Sequence, residues 1–195
     1  MVVFGANVLI ALVSPQTSSD DLARINKLIA DLSKRKSYVG VPTPALAEFL
    51  VRTDGATQAI LETLERKSGV RMLPFDKRAA YECALLDQKA RVTGRKRGSA
   101  GDAPYQKVKV DRQIVAIAIA NGAEMIVSGD DKLIAVARDM DLKAVTISEL
   151  PIPPAAMQRP LTFNADDLRP GSRETQPTAL PDPVPQQGEA PPPAQ

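Results

Sequence analysis

Over its first 150 residues the chain alternates short β-rich apolar runs with amphipathic helical stretches, and this alternation admits few folds. The runs are Val2 to Ile10, Tyr38 to Val41, Val70 to Leu73, Met125 to Val127 and Ala144 to Ile147. Each is too apolar to leave one face in water, and helical segments stand between them. The strands are therefore expected to lie parallel in a sheet covered on both faces. This predicts a three-layer α/β/α sandwich with a central parallel sheet of about five strands. Sheets of this kind bind ligands outside the carboxyl ends of their strands, where the strand order reverses.

The opening run reads as a buried strand that ends in a tight turn without an acid, with positions 5 and 130 at the ligand-binding rim. The helices carry their own start and stop signals. Asp20 to Lys36 has Leu22, Ile25, Leu28, Ile29 and Leu32 at helical spacing, behind a Ser18-Ser19-Asp20 capping signal. Thr43 suits an N-cap and Pro44 the first position of a helix that carries Glu48. A further helix is predicted from Ala56 to Arg66, and Asp76 caps a long one that runs to about Arg91. Asp111 heads the apolar helix Ile114 to Ala120, Asn121-Gly122 closes it, and a short helix precedes the last strand.

Composition changes at Pro151, since twelve of the 17 prolines lie between there and Gln195. Proline removes backbone donors and favours extended conformations, so residues 1–150 are expected to form one domain and 151–195 a disordered, proline-rich tail. A solvated extension is the plainer reading of this tail; a proline-motif ligand is the alternative.

The chain has no His and a single Cys, Cys83, which rules out His-ligated zinc, a Ser-His-Asp relay and any internal disulfide. Cys83 falls in a helical pattern and reads as a core thiol. The apolar stretch Val2 to Val13 lacks a basic leader and is shorter than the roughly 20 residues of a membrane span. No membrane association and a reducing, cytoplasmic setting are the expectation. Catalysis must then rest on carboxylates, hydroxyls, lysines or a bound metal.

Three segments place a carboxylate beside a strand end or a helix start: Glu48, Asp111 and Asp130. Mg²⁺ and Mn²⁺ are hard cations that prefer oxygen ligands, and a metal that activates water needs no histidine. Asn7 suits a role in orienting a ligand or water, and Ser128 can hydrogen-bond a nearby acid. Each acid alone also fits a structural role: Asp111 as a helix N-cap, Glu48 as a solvated helical acid, Asp130 as a turn residue.

As an ordered set, Phe4-Gly5-Ala6-Asn7, Glu48, Asp111 before an Ala-rich helix, and Ser128-Gly129-Asp130 resemble the PIN-domain family. This is the fold of VapC-type toxin ribonucleases and other metal-dependent RNA nucleases, and the resemblance covers residues 1 to about 150. It implies an Mg²⁺- or Mn²⁺-dependent endoribonuclease with Glu48, Asp111 and Asp130 as metal ligands and Asn7 at the site. It also implies RNA as substrate, a small antitoxin protein as partner, and pairing as a homodimer. Gly5 occupies the place of the family's first metal-binding Asp and has no oxygen to offer, so the implied site is weakened or dead. Asp131 and Asp102 are candidates for that place, though nothing in the sequence puts either there. The alternative is a catalytically inactive scaffold that binds RNA or a partner protein. A small-ligand α/β domain finds no support in a glycine-rich phosphate loop.

Between Gly94 and Arg112 lie six basic residues, Arg95, Lys96, Arg97, Lys107, Lys109 and Arg112, against the acids Asp102 and Asp111. That excess of four matches the balance of the whole segment before Pro151, which has 22 basic and 18 acidic residues, so the charge is local. The stretch reads either as an RNA-backbone contact that leads to Asp111 or as a solvated loop. Tyr105 is its only aromatic, which gives no stacking platform for bases.

Overall fold

The computed structural model describes residues 1–52, 62, 69–92 and 104–154. Of the predicted helix Ala56 to Arg66 only Glu62 is among them, and Arg95, Lys96, Arg97, Asp102 and the tail from residue 155 on lie outside the described residues. In chain order the elements are β1 (Val2–Phe4), α1 (Ala6–Val13), α2 (Ser19–Lys34), β2 (Val39–Pro42) and α3 (Thr43–Arg52). Then come β3 (Val70–Leu73), α4 (Lys77–Val92), α5 (Tyr105–Ala120), β4 (Met125–Val127), α6 (Asp131–Arg138) and β5 (Ala144–Val145).

All five strands are parallel, in the order β3-β2-β1-β4-β5. Val3 pairs with Gly40 on one side and Ile126 on the other, so β1 is central and its three residues are buried. Successive strand residues point to opposite faces. Val3 and Ile126 join one core with Leu86 of α4, Val115 and Ile117 of α5 and Ile134 of α6. Val2, Phe4, Val39, Val41 and Val127 join the other with Leu9 of α1, Ile25 and Leu32 of α2 and Phe49 of α3. The architecture is thus the three-layer α/β/α sandwich with a five-stranded parallel sheet. No helix among the described residues is long and apolar enough to cross a membrane.

Local signals set several boundaries. Ser18 Oγ accepts from Asp21 N at 3.1 Å at the start of α2, and Asp76 Oδ1 accepts from Ala79 N at 2.9 Å at the start of α4. Gly122, at φ 66°, closes α5 as glycine can without steric cost.

Two expectations are corrected. The opening strand ends at Phe4 instead of continuing to Ile10, and Ala6–Val13 is helical. A short apolar run has no periodicity that separates a buried strand from a buried helix, and here Val8 and Leu9 pack on the sheet. Asp111 does not head its helix, because α5 begins at Tyr105. Val108, Asp111, Arg112 and Val115 are all buried, with the spacing of one helical face, so the helix extends inward through the basic stretch.

A candidate metal centre at the strand-order reversal

The strand order reverses between β1 and β4, and the segments that leave those two strands form the site. Gly5 N donates to Val127 O at 2.9 Å, which ties the end of β1 to the end of β4. Gly5 then caps α1 with extended backbone, and its carbonyl accepts from Val8 N at 3.1 Å. A Cβ added at Gly5 would stand 2.9 Å from Ser128 Oγ and 3.2 Å from Ser128 Cβ. A side chain at position 5 would therefore press on Ser128, whose hydroxyl would have to shift to admit it. Ser128 is buried, its N donates to Val145 O at 3.0 Å, and its Oγ accepts from Asp130 N at 3.0 Å. Asn7, half-buried in the first turn of α1, sits against this loop, with its Cβ 3.3 Å from where a Cβ on Gly129 would be.

Asp111 projects from α5 and is only 4% exposed, and its Oδ2 has no hydrogen-bond partner. Burial, the negative charges of Asp130 and Glu48, and only partial relief from Lys107 and Lys132 push its pKa up to about 6. Asp130 caps α6, its Oδ1 accepting from Lys132 N at 2.9 Å. Its Oδ2 lies 2.6 Å from Lys107 Nζ. Burial works against the Asp130 charge, but the Lys107 ammonium and the amides of Lys132 and Leu133 more than offset it and hold the carboxyl below its usual range. Lys107 is correspondingly raised, first by its hydrogen bond to Asp130, with added attraction from Asp111 and Glu48.

Glu48, on α3, is more exposed and pairs with Arg52 at 3.1 Å, an (i, i+4) contact on its own helix. Its charge reaches Asp111 and Lys107, so the three acids act on one region. They are not closed into a cage: among the described residues no three Asp, Glu, Cys or His side chains are gathered tightly enough to hold one ion. The donor set nevertheless suits a hard divalent cation, since it is all carboxylate and includes a buried oxygen with nothing to bind.

The basic stretch divides. Arg112 is corrected from an RNA contact to a buried cation: its side chain is 5% exposed and its Nη1 pairs with Asp87 Oδ1 of α4 at 2.7 Å. The helical face that buries Asp111 buries its neighbour too. Lys109 remains exposed, 4.9 Å above the Tyr105 ring, and Lys107 belongs to the acid site. Asp131 is exposed in the first turn of α6. Sequence reasoning missed the roles of Lys107 and Lys132 beside the acids and of Asp87 as the Arg112 partner. For Lys107 a signal existed, since it stands four residues before Asp111 and so shares its helix face once the helix reaches back to Tyr105.

Comparison with known proteins gives the same picture of the fold. A VapBC2 structure from Rickettsia felis, bound to a DNA fragment from its promoter, matches with TM-score 0.51 and 15% identity, covering 75% of this chain and 98% of that one. A DNA-bound VapBC from Salmonella typhimurium aligns over 75% of this chain and 97% of that one, with 12% identity and TM-score 0.48. No curated protein matches the sequence significantly. The model of the PIN domain family matches residues 2–139, most of the chain and every described strand except β5. The chain belongs to the PIN domain family.

Proposed function

We propose that this chain is a metal-dependent endoribonuclease of PIN type that acts as the toxin of a toxin–antitoxin pair, with a site weakened by Gly5. The observation that carries this reading is Asp111: a nearly inaccessible carboxylate with an unpartnered oxygen, facing two other acids where the strand order reverses. A protein keeps such a group only where something compensates it or uses it. Family membership adds to this, because PIN domains are generally nucleases. The fold likeness to the VapBC2 complex from Rickettsia felis motivates the antitoxin partner.

In this reading Glu48, Asp111 and Asp130 hold an Mg²⁺ or Mn²⁺ ion, which supplies Lewis acidity and a water nucleophile at neutral pH. Asp111, fixed in mid-helix, sets the position of the ligand set, while Asp130 is oriented by the backbone of α6. Asn7 offers an amide to the substrate from across the loop. Exposed Lys109, with Arg95, Lys96 and Arg97, attracts the RNA backbone. Residues 1–150 form the nuclease domain and 151–195 an appended proline-rich tail.

The test is cleavage of single-stranded RNA in Mg²⁺ or Mn²⁺ by the native chain, Asp111→Asn, and Gly5→Asp combined with Ser128→Gly. The serine change makes room beside position 5, where an added Cβ would stand 2.9 Å from Ser128 Oγ. Cleavage that needs metal, vanishes in Asp111→Asn and rises in the double variant supports the reading. Equal cleavage by all three overturns it. A second reading, an inactive scaffold that binds RNA or a partner protein, is favoured by Gly5 together with Lys107 on Asp130. It predicts RNA binding without cleavage, unaffected by chelators.

A further inference from the structure

We propose that Lys107 is an internal counter-ion of the acid site, holding the place a divalent cation would take beside Asp130 and keeping the native chain's affinity for such ions low. This rests on the reading of Glu48, Asp111 and Asp130 as a cation site.

The contact that carries it spans two helices. Lys107 Nζ, from the first turn of α5, lies 2.6 Å from Asp130 Oδ2, at the start of α6. Asp130 Oδ1 accepts from Lys132 N at 2.9 Å, so each oxygen of this carboxylate already has one partner, and the ammonium stands where an ion bound to Oδ2 would lie. Because Lys107 precedes Asp111 by one helical turn, its side chain runs along the same face and brings its charge among the acids. Gly5 contributes no charge here. Three carboxylates set against the ammoniums of Lys107 and Lys132 and the Arg52 guanidinium on Glu48 leave no net negative charge to attract a divalent ion. Removal of Lys107 leaves a net charge of −1 and frees Asp130 Oδ2 of its ammonium.

An ammonium is an imperfect substitute for a metal ion. It is a compact charge that donates hydrogen bonds from one point, whereas a divalent ion bridges several oxygens at once. The structure carries the mark of this mismatch: Lys107 satisfies Asp130, while Asp111 Oδ2, buried close by, stays without a partner. Lys107 is also 45% exposed, so its side chain can leave for solvent or for a phosphate without unpacking the core. The lock is therefore reversible, and the core is not invested in it.

The test is Mn²⁺ binding to the full chain, followed by the electron paramagnetic resonance signal of free Mn²⁺ and independent of any cleavage assay. The variants are Lys107→Met, Lys107→Gln, Asp111→Asn, and each Lys107 change combined with Asp111→Asn, with thermal unfolding to confirm that they fold. Both single variants are expected to bind Mn²⁺ at least tenfold more tightly than the native chain, with the gain abolished by Asp111→Asn. If native and Lys107 variants bind within twofold of one another and Asp111→Asn weakens all of them, the acids hold the ion but Lys107 is no lock, and the proposal falls alone. If no variant binds Mn²⁺, or if Asp111→Asn changes nothing, the cation-site reading falls and takes the proposal with it.

Discussion

Burial of the Asp111 carboxyl beside Asp130 and Glu48 lifts its pKa to about 6, against about 3.9 in an unfolded chain. Between those values the folded state holds a proton the unfolded state has released. Stability contributed at this residue therefore falls as pH rises from about 4 to about 6 and is level above, a loss of about 3 kcal/mol. Asp111→Asn removes the titration. In metal-free urea unfolding, its advantage over the native chain is expected to grow from near zero at pH 4 to about 1–3 kcal/mol at pH 8; an advantage that does not change with pH would refute this account of Asp111. Gly5 poses a steric question. With a Cβ arriving 2.9 Å from Ser128 Oγ, Gly5→Ala is expected to cost about 1–3 kcal/mol, and Ser128→Gly in the same chain to recover most of it. Thermal unfolding of the two variants checks this, and additive losses would show that the two residues do not compete for the same space.

At the scale of elements, α5 unites parts of the sequence that read as separate. Its second half is apolar all round because it lies against the sheet, α4 and α6, while its first half carries Lys107 and Lys109 into solvent. Between the two halves, Asp111 and Arg112 are consecutive buried charges that face different ways, Asp111 with an unpartnered oxygen near Asp130 and Glu48 and Arg112 toward α4. Arg112 pairs across to Asp87 of α4 at 2.7 Å and so fixes the register of the two helices. Asp87→Ala removes an acidic partner from a nearly buried guanidinium, and with Asp87 itself about a third exposed the expected loss is about 1–2 kcal/mol in urea unfolding. A loss below about 0.5 kcal/mol would show that Arg112 is satisfied without Asp87. The boundary of α5 was hidden in sequence because Lys107-Val108-Lys109-Val110 alternates as a strand or loop would, and only the burial of Val108 marks the helical face. The helix α1 was hidden for the opposite reason, since Ala6–Val13 is too uniformly apolar to show any period.

Across the whole molecule, charge is nearly balanced at a net +2, so an attraction to RNA has to come from local clusters. Replacing Arg95, Lys96 and Arg97 with glutamine is expected to weaken RNA binding and to flatten the plot of log affinity against log salt by about 2, given about 0.7 per lost single-strand phosphate contact. Arg112→Met, held below its unfolding temperature, is expected to leave that slope unchanged, because Arg112 is spent on Asp87. Filter binding over a salt series distinguishes these outcomes, and a slope that answers to Arg112 but not to the three outer residues would reverse the assignment. The sequence by itself determined the layers, the parallel sheet and most helix ends. These follow from side-chain period, capping residues and apolar runs, which act over a few neighbouring positions. Only the tertiary structure decided that Ser128 crowds position 5, that Lys107 pairs with Asp130, and that Arg112 is buried against Asp87. Each of these is a contact between segments brought together by packing on the sheet, and the strength of a charge or the cost of a methyl group depends on what lies across that contact.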